Sequence, residues 1–267
     1  MAIRHLLWGA ALGAVLSATV VAQQPSGFFR TACVKVKPGK DAEFNALANG
    51  DIRKFERSQV ASGAISGAEE LRTIMPAGSQ AECDYIFVTF YSGLPNAPMS
   101  KDESVAALKK AGISDSLEEV RQKEDAVGYL VSNSIARSAL RVGAAKEGDY
   151  IFVNEMNVPD TEAWVANEKK LWQPIFEDGQ KDGAIDGWAV VERLMPRGAQ
   201  DPYLTYTVDI YPNWQSLMTF FGPTFQDRWK KVHPDVPIAE GMAKERKMDT
   251  IEHTVLYKVV SEIQAAK

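Results

Sequence analysis

The sequence is poor in the residues that build disulfide frameworks and transition-metal sites. It has two cysteines and three histidines in 267 residues, which excludes a disulfide-stapled scaffold and the Cys/His ligand sets of zinc fingers. It also lacks the Gly-x-Gly-x-x-Gly, P-loop and His-Glu-x-x-His motifs of nucleotide and metalloprotease sites. Thirty basic residues against 35 acidic ones give a net charge of −5, and we expect no nucleic-acid partner.

Beyond its N-terminal segment, the chain has no long apolar run. Arg4 precedes an apolar stretch from Leu6 to Val21, and small residues lead into Gln23. This is the pattern of a secretory signal peptide, and the run is short for a transmembrane helix, which needs about 20 apolar residues. We predict that residues 1–22 are a signal peptide, that the protein is periplasmic or secreted, and that no membrane span remains after cleavage. An uncleaved N-terminal anchor is the alternative.

An internal repeat at an offset of 120 residues is the strongest pattern in the sequence. Residues 60–91 and 180–211 align without a gap and share ten of 32 positions, whereas chance gives roughly one or two. A Gly-Ala-Ile-x-Gly segment and a Met-Pro-x-Gly turn recur in both copies. We therefore predict two units, residues 23–145 and residues 146–267.

Each unit shows the order strand, helix, strand, strand, helix, strand. Alternating β-rich segments predict the strands, apolar residues at helical spacing predict the helices, and capping boxes at Ser100 and Ser116 each begin a helical segment. The predicted strands are 28–37, 71–75, 85–91, 134–142, 150–158, 188–195, 203–211 and 250–260, and the longest predicted helices are 41–59, 161–180 and 214–232.

This order is that of the ferredoxin-like unit, a four-stranded antiparallel sheet with both helices on one face. A single unit leaves its other sheet face bare, and two units cover these faces by packing sheet to sheet. The arrangement resembles the dimeric α+β barrel superfamily, with two units fused in tandem. The predicted fold class is α+β, with tandem ferredoxin-like βαββαβ repeats forming an intrachain barrel. We expect a monomer that contains a pseudo-dimer.

Side-chain alternation assigns strand residues to the helix side or to the space between the sheets. Lys35 and Glu155, at equivalent positions of the first strands, fall between the sheets, and so do Thr89 and Asp209 on the third strands. Lys35 and Glu155 are predicted to approach each other, as a structural ion pair or as polar groups at the mouth of a ligand cavity. The third-strand residues assigned to the helix side are Ile86, Val88, Phe90, Tyr206, Val208 and Ile210.

His253 lies in the last predicted strand and has two interpretations. It is either a hydrogen-bonded structural residue, or a general base or axial haem ligand in the cavity. The resembled superfamily includes haem-binding and monooxygenase members, but no motif here matches their sites, so no catalytic residue is assigned. No metal ion is predicted.

Two interpretations also stay open for Cys33 and Cys83. Export permits a disulfide between them, and the alternative is two separate buried thiols. Val153 and Tyr203 occupy the equivalent positions of the second unit. The fold therefore does not require a disulfide, and separate thiols are the preferred interpretation.

Three functions are compatible with these observations. The first is an exported barrel that binds a small apolar or aromatic molecule between its sheets through Lys35, Glu155, Thr89, Asp209 and His253. The second is a cofactor-independent monooxygenase, or a haem-binding or haem-degrading enzyme. The third is a structural or interaction protein whose barrel is filled. Whether the protein is an enzyme stays open at this point.

Overall fold

The computed structural model describes residues 27–95, 97–197 and 204–265. The predicted signal peptide lies outside these residues, and so does Tyr203, the predicted first residue of one strand. None of the helices in the described ranges has the length and apolar character needed to cross a membrane.

Within the described chain, eight antiparallel strands form one sheet that closes into a barrel. Around the barrel the order is β1-β3-β2-β8-β5-β7-β6-β4, and β4 pairs with β1 to complete the circle. The strands are β1 (Phe28–Val36), β2 (Gly67–Met75), β3 (Tyr85–Tyr91), β4 (Gly128–Gly143), β5 (Tyr150–Asn157), β6 (Gly187–Met195), β7 (Thr205–Tyr211) and β8 (Thr250–Gln264).

The two halves of the chain contribute equivalent halves of this barrel, with four strands each in the same order. The first half supplies β4-β1-β3-β2 and the second supplies β8-β5-β7-β6, which is the ferredoxin-like strand order in each case. The halves join along both edges, where β2 pairs with β8 and β4 pairs with β6. The predicted α+β barrel is therefore confirmed, and the space between the sheets is a lumen enclosed on all sides by strands.

The helices pack on the outer face of the barrel. The single helix predicted over 41–59 is interrupted by a π-helical turn at Ala48–Ile52, while the capping boxes at Ser100 and Ser116 are confirmed. The helices are α1 (Asp41–Leu47), α2 (Arg53–Ala61), α3 (Lys101–Lys110), α4 (Leu117–Val127), α5 (Thr161–Leu171), α6 (Gln173–Lys181), α7 (Trp214–Thr219), α8 (Phe225–Val232) and α9 (Ile238–Glu245).

The core of the second half is aromatic and lies between its helices and the outer face of β6 and β7. Phe176 stacks on Trp188 with ring centroids 5.0 Å apart, and on Phe220 at 5.4 Å. Offset stacking adds about 0.5–1.5 kcal/mol per pair to the free energy gained from burial. The equivalent core of the first half is smaller and is centred on Phe44 and Tyr85.

Candidate functional site

The barrel lumen contains a cavity of about 550 Å³. Because successive strand residues alternate between the two faces of a sheet, each strand sends every second side chain into this space. On β1 the lining residues are Phe29, Thr31 and Cys33, and on β5 they are Ile151, Val153 and Glu155. The volume falls within the range of about 300–1,000 Å³ that is usual for small-molecule sites.

The lumen has one hydroxyl-rich wall. Thr31 on β1 and Ser134 on β4 share a hydrogen bond of 2.7 Å between their hydroxyl oxygens, and the buried Ser138 follows on the same face of β4. β5 lies opposite β1 in the strand order, and there Ile151 and Val153 present an aliphatic surface. The cavity is therefore amphipathic across its width.

One end of the lumen carries a buried carboxyl group. Glu69 on β2 lines the cavity beside the buried Ala145. Burial raises the pKa of Glu69 to about 7, and the positive charge of Arg141 opposes this shift only in part. Glu69 is therefore largely protonated in mildly acidic solution and can then donate a hydrogen bond into the cavity.

We call the other end of the lumen, where several of the described lining residues are exposed, the mouth. Its lining residues Glu82, Ser132, Asn133 and Pro196 are exposed. Met195, which precedes Pro196, is also exposed. An apolar side chain beside this opening provides a contact for an apolar ligand on its way in.

Glu155 and His253 meet at the mouth. They are directly opposite each other in the β5–β8 ladder, and 3.1 Å separates Nδ1 of His253 from Oε2 of Glu155. Burial raises the pKa of Glu155, while the hydrogen bond from His253 lowers it. His253 is about half exposed, with a side-chain accessibility of 48%. A carboxylate that orients a partly exposed imidazole is an arrangement suited to proton transfer.

Lys35 does not approach Glu155, so that part of the prediction is wrong. Its Nζ atom lies 3.0 Å from Oδ1 of Asp84 and donates hydrogen bonds to the carbonyl oxygens of Gly78 and Ala81. β1 and β5 are diametrically opposite in the barrel, so equivalent positions on them face each other across the whole lumen. The local acceptors around the β2–β3 connection hold the Lys35 ammonium group instead.

Thr89 and Asp209 lie on the helix side of the sheet, so their assignment to the space between the sheets is wrong. Thr89 lines a cavity beneath the first-half helices. Asp209 is buried beneath the second-half helix layer, where burial raises its pKa to about 7 and the Tyr211 hydroxyl group donates to its Oδ2 atom at 3.5 Å. Their lumen-facing neighbours are the residues that the sequence analysis placed under the helices: Ile86, Val88, Phe90, Tyr206, Val208 and Ile210.

Cys33 and Cys83 form a disulfide, so the preference for separate thiols is wrong. The bond ties β1 to the segment before β3 and forms part of the lumen wall. Both sulfur atoms lie near a carboxylate oxygen of Glu82, but disulfide sulfurs are not the thiolates that bind metal ions. The residues at the equivalent positions of the second unit do not predict this pairing, because a disulfide needs only the local proximity of two cysteines.

Two further lumen groups were not predicted from the sequence. Arg193 on β6 and Tyr206 on β7 both line the cavity near Glu155, and Arg193 lowers the pKa of Glu155 through its positive charge. Tyr206 is directly opposite Glu155 in the β5–β7 ladder. Directly opposed residues of an antiparallel pair point to the same face, so knowledge of this register would have placed Tyr206 in the lumen.

The lumen does not fit a haem group held by histidine or thiolate. Among the described residues that line it there is no histidine, and its cysteines are joined in the disulfide. His253 stands outside the lining, on the rim. Tyrosine is an alternative haem ligand, but burial raises the pKa of Tyr257 and disfavours its phenolate. We therefore derive no chemistry through haem at this site.

A second cavity of about 560 Å³ lies between the first-half helices and the outer face of the sheet. We call it the helix-side cavity. Its lining includes Ile52 and Phe55, which correspond at the 120-residue offset to Trp172 and Ile175. In the second half, Trp172 packs against Phe225 with ring centroids 6.2 Å apart. The larger indole ring and its aromatic neighbours fill the space that remains open in the first half.

No protein-family model and no curated protein matches the sequence. In structure, the chain is similar to a proposed monooxygenase from Lactobacillus acidophilus NCFM, with a TM-score of 0.55, 8% identity, and coverage of 90% of this chain and 97% of that one. It is also similar to a proposed monooxygenase from Fusobacterium nucleatum subsp. nucleatum, with a TM-score of 0.54, 7% identity, and coverage of 90% and 94%. At these identities the likeness shows a shared fold and no more.

Proposed function

We propose that the protein binds a small aromatic or aliphatic molecule that carries hydroxyl or carbonyl oxygens, inside the barrel lumen. The observation that carries this proposal is the 550 Å³ cavity with a hydroxyl-rich wall opposite an aliphatic one. The aliphatic wall buries the apolar face of the ligand, at about 25 cal/mol per Å². The hydroxyl groups of Thr31, Ser134 and Ser138 accept or donate hydrogen bonds at its oxygens.

The two ends of the cavity set the orientation of the ligand. An apolar end that carries one oxygen for Glu69 fits the interior near Ile151 and Ile210, whereas a polar or anionic end fits the mouth, where Arg193 and His253 stand near Glu155. We place this function in the periplasm or outside the cell, because the leader pattern and the Cys33–Cys83 disulfide both agree with export. A cavity of this size weakens the filled-barrel alternative.

The test is a thermal-shift screen with hydroxylated aromatic compounds, followed by a matched pair of cavity-filling variants. Ala189→Phe adds a ring to the lumen, and Ala64→Phe adds the same ring at the helix-side cavity. A lumen ligand is expected to lose at least about tenfold in affinity in Ala189→Phe, because the added ring occupies its volume, and to bind Ala64→Phe like the wild type. The reverse pattern would place the ligand in the helix-side cavity and overturn the proposal.

The Glu155–His253 pair favours a second function, in which His253 removes a proton from the bound molecule at the mouth. In a cofactor-independent monooxygenase, the deprotonated substrate itself supplies the electrons to oxygen. The shared fold with two proposed monooxygenases agrees with this function. The expected result is oxygen consumption with a ligand from the screen, lost in His253→Gln although the ligand still binds. Binding without turnover in the wild type would leave only the binding function.

Haem titration distinguishes the haem-handling alternative from the binding function and from the cofactor-independent monooxygenase function. Because the lining contains no histidine or free thiol among the described residues, we expect no Soret band of a protein-ligated haem. A Soret band that disappears in His253→Ala would contradict this expectation and assign a haem ligand on the rim.

A further inference from the structure

Three carboxyl groups come together in the helix layer of the second half, away from the lumen. Glu168 lies on α5, Glu245 is the last residue of α9, and Asp249 immediately precedes β8. One carboxylate oxygen from each residue lies within 4.8 Å of the corresponding oxygens of the other two. None of the three residues lines either cavity, so the cluster has no part in the proposed lumen site.

The side chain of Glu168 is buried and has no cationic or N–H partner. The residue is 2% exposed, and Glu245 is 8% exposed. Within the described chain, the only side chain in hydrogen-bonding reach of the Glu168 carboxyl group is another carboxyl, that of Glu245, and every charge that acts on it is negative. A buried carboxylate normally pairs with a cation, a donor or a metal ion. Among the described residues, no such group neutralises the Glu168 carboxylate, and a bound cation would do so.

Two N–H donors hold the other carboxylates from outside the cluster. The Asn167 amide donates to Oε2 of Glu245 at 2.5 Å, and the Trp164 indole N–H donates to Oδ2 of Asp249 at 2.8 Å. Outer hydrogen bonds of this kind orient the ligands of metal sites. The two donors contact Glu245 and Asp249, whereas the Glu168 carboxylate stays available to a cation.

The ligand chemistry points to a hard divalent cation. Carboxylate oxygens suit Ca²⁺, Mg²⁺ and Mn²⁺ rather than metals that prefer sulfur or imidazole. The three oxygens lie within 4.8 Å of one another, which is close enough for one ion to contact all three. Among the hard cations, Ca²⁺ tolerates irregular oxygen geometry whereas Mg²⁺ demands a near-ideal octahedron, so this set of carboxylates favours calcium.

We propose that Glu168, Glu245 and Asp249 form a Ca²⁺ site that ties α5 to the turn between α9 and β8. The bound ion neutralises carboxyl groups that would otherwise stay protonated or repel each other. Their arrangement therefore favours a cation wherever Ca²⁺ is available.

The first test measures thermal unfolding of the full chain after EDTA treatment and during Ca²⁺ titration. We expect the Tm of the wild type to rise with Ca²⁺ and to saturate, since only the folded state assembles the three ligands. Glu168→Gln keeps the side-chain volume and removes one charge. It is expected to fold at least as stably as the wild type without Ca²⁺ and to lose at least about tenfold in Ca²⁺ affinity. Glu162→Gln, which changes an exposed residue of the same helix, is the matched control and should retain the wild-type rise.

The second test uses Tb³⁺ as a luminescent substitute for Ca²⁺. Because the Trp164 indole touches the Asp249 carboxylate, excitation of tryptophan should sensitise bound Tb³⁺, and excess Ca²⁺ should displace it. Asp249→Asn provides a second ligand variant should Glu168→Gln fail to fold. A Tm that is unchanged by EDTA and Ca²⁺, with terbium emission equal in wild type and variants, would overturn the proposal and leave a proton-sharing carboxyl cluster. A rise with Zn²⁺ or Mn²⁺ but none with Ca²⁺ would overturn the assignment to calcium.

Discussion

The buried carboxyl group of Glu69 predicts a specific dependence of stability on pH. Charged and titratable groups reach it from several elements: Arg141 from β4, Glu262 from β8, and Asp149 from the β4–β5 connection. Burial is the largest influence, Arg141 opposes it and the two acidic neighbours add to it, and together these influences raise the pKa of Glu69 from 4.5 to about 7. In the unfolded chain the same group is solvated and ionises near its ordinary pKa.

The sign of the effect follows from which state binds the proton more tightly. Below about pH 4.5 the carboxyl group is protonated in both states. As the pH rises toward 7, ionisation stabilises only the unfolded state, so the free energy of unfolding falls. One pKa unit corresponds to about 1.4 kcal/mol, so the contribution of Glu69 decreases by about 2–3 kcal/mol between roughly pH 5 and pH 8.

Urea unfolding across this pH range measures the effect as a difference between two proteins. Glu69→Gln has the shape of the protonated acid and cannot ionise, so its free energy of unfolding should fall less steeply with pH than that of the wild type. Glu118→Gln removes an exposed carboxylate on α4 and should follow the wild-type curve. Parallel pH curves for Glu69→Gln and wild type would refute the argument that burial keeps Glu69 protonated.

Three further predictions concern the covalent link, one turn and the aromatic core. Replacement of both Cys33 and Cys83 by Ala should lower the free energy of unfolding by about 4 kcal/mol under non-reducing conditions, because the disulfide links residues with a sequence separation of 50. A much smaller loss would contradict the presence of the disulfide in the wild type. Gly143→Ala should cost about 3 kcal/mol in urea unfolding, since its φ is +62° and a Cβ atom would lie 2.0 Å from the Asp186 carbonyl oxygen. Phe176→Ala should cost about 3–5 kcal/mol, and a cost below about 1 kcal/mol would show that the core collapses around the missing ring.

The strand order was predictable from the sequence, and the orientation of the third strands was not. The repeat, the turn glycines and the cis-proline hairpins at Met75–Pro76 and Met195–Pro196 mark the same boundaries in both units. On β3 and β7, however, both faces are buried, one in the lumen and the other under the helices. Alternation identifies the buried face of a strand only when the other face meets water. It therefore does not show whether Thr89 or Val88 points into the lumen.

Polarity misled the assignment further, because the chain buries carboxyl groups on both sides of its sheet. Alternation along the strand assigns Asp209 to the lumen, yet Asp209 lies beneath the second-half helix layer, which also holds the buried Glu168. The correct information was in the pairing register, since Glu155 on β5 opposes Tyr206 on β7 and His253 on β8. His253 and Glu155 were predicted as site residues, and the structure brings them together.

The two halves of the chain differ most in the helix layers outside the barrel. The lumen is built jointly by strands from both halves, so a change on either side alters the same cavity. Each helix layer packs on its own sheet and on one edge strand of the other half: Val142 of β4 belongs to the second-half core, and Val260 of β8 packs on the first-half core. The first half keeps an open helix-side cavity beside a π-helical turn, whereas the second half fills the equivalent space with aromatic rings and places two buried carboxyl groups and one half-buried one in its helix layer. Substitutions beneath the helices are therefore expected to act on one half, except on β4 and β8, whereas substitutions that reach the lumen should alter ligand binding from either half.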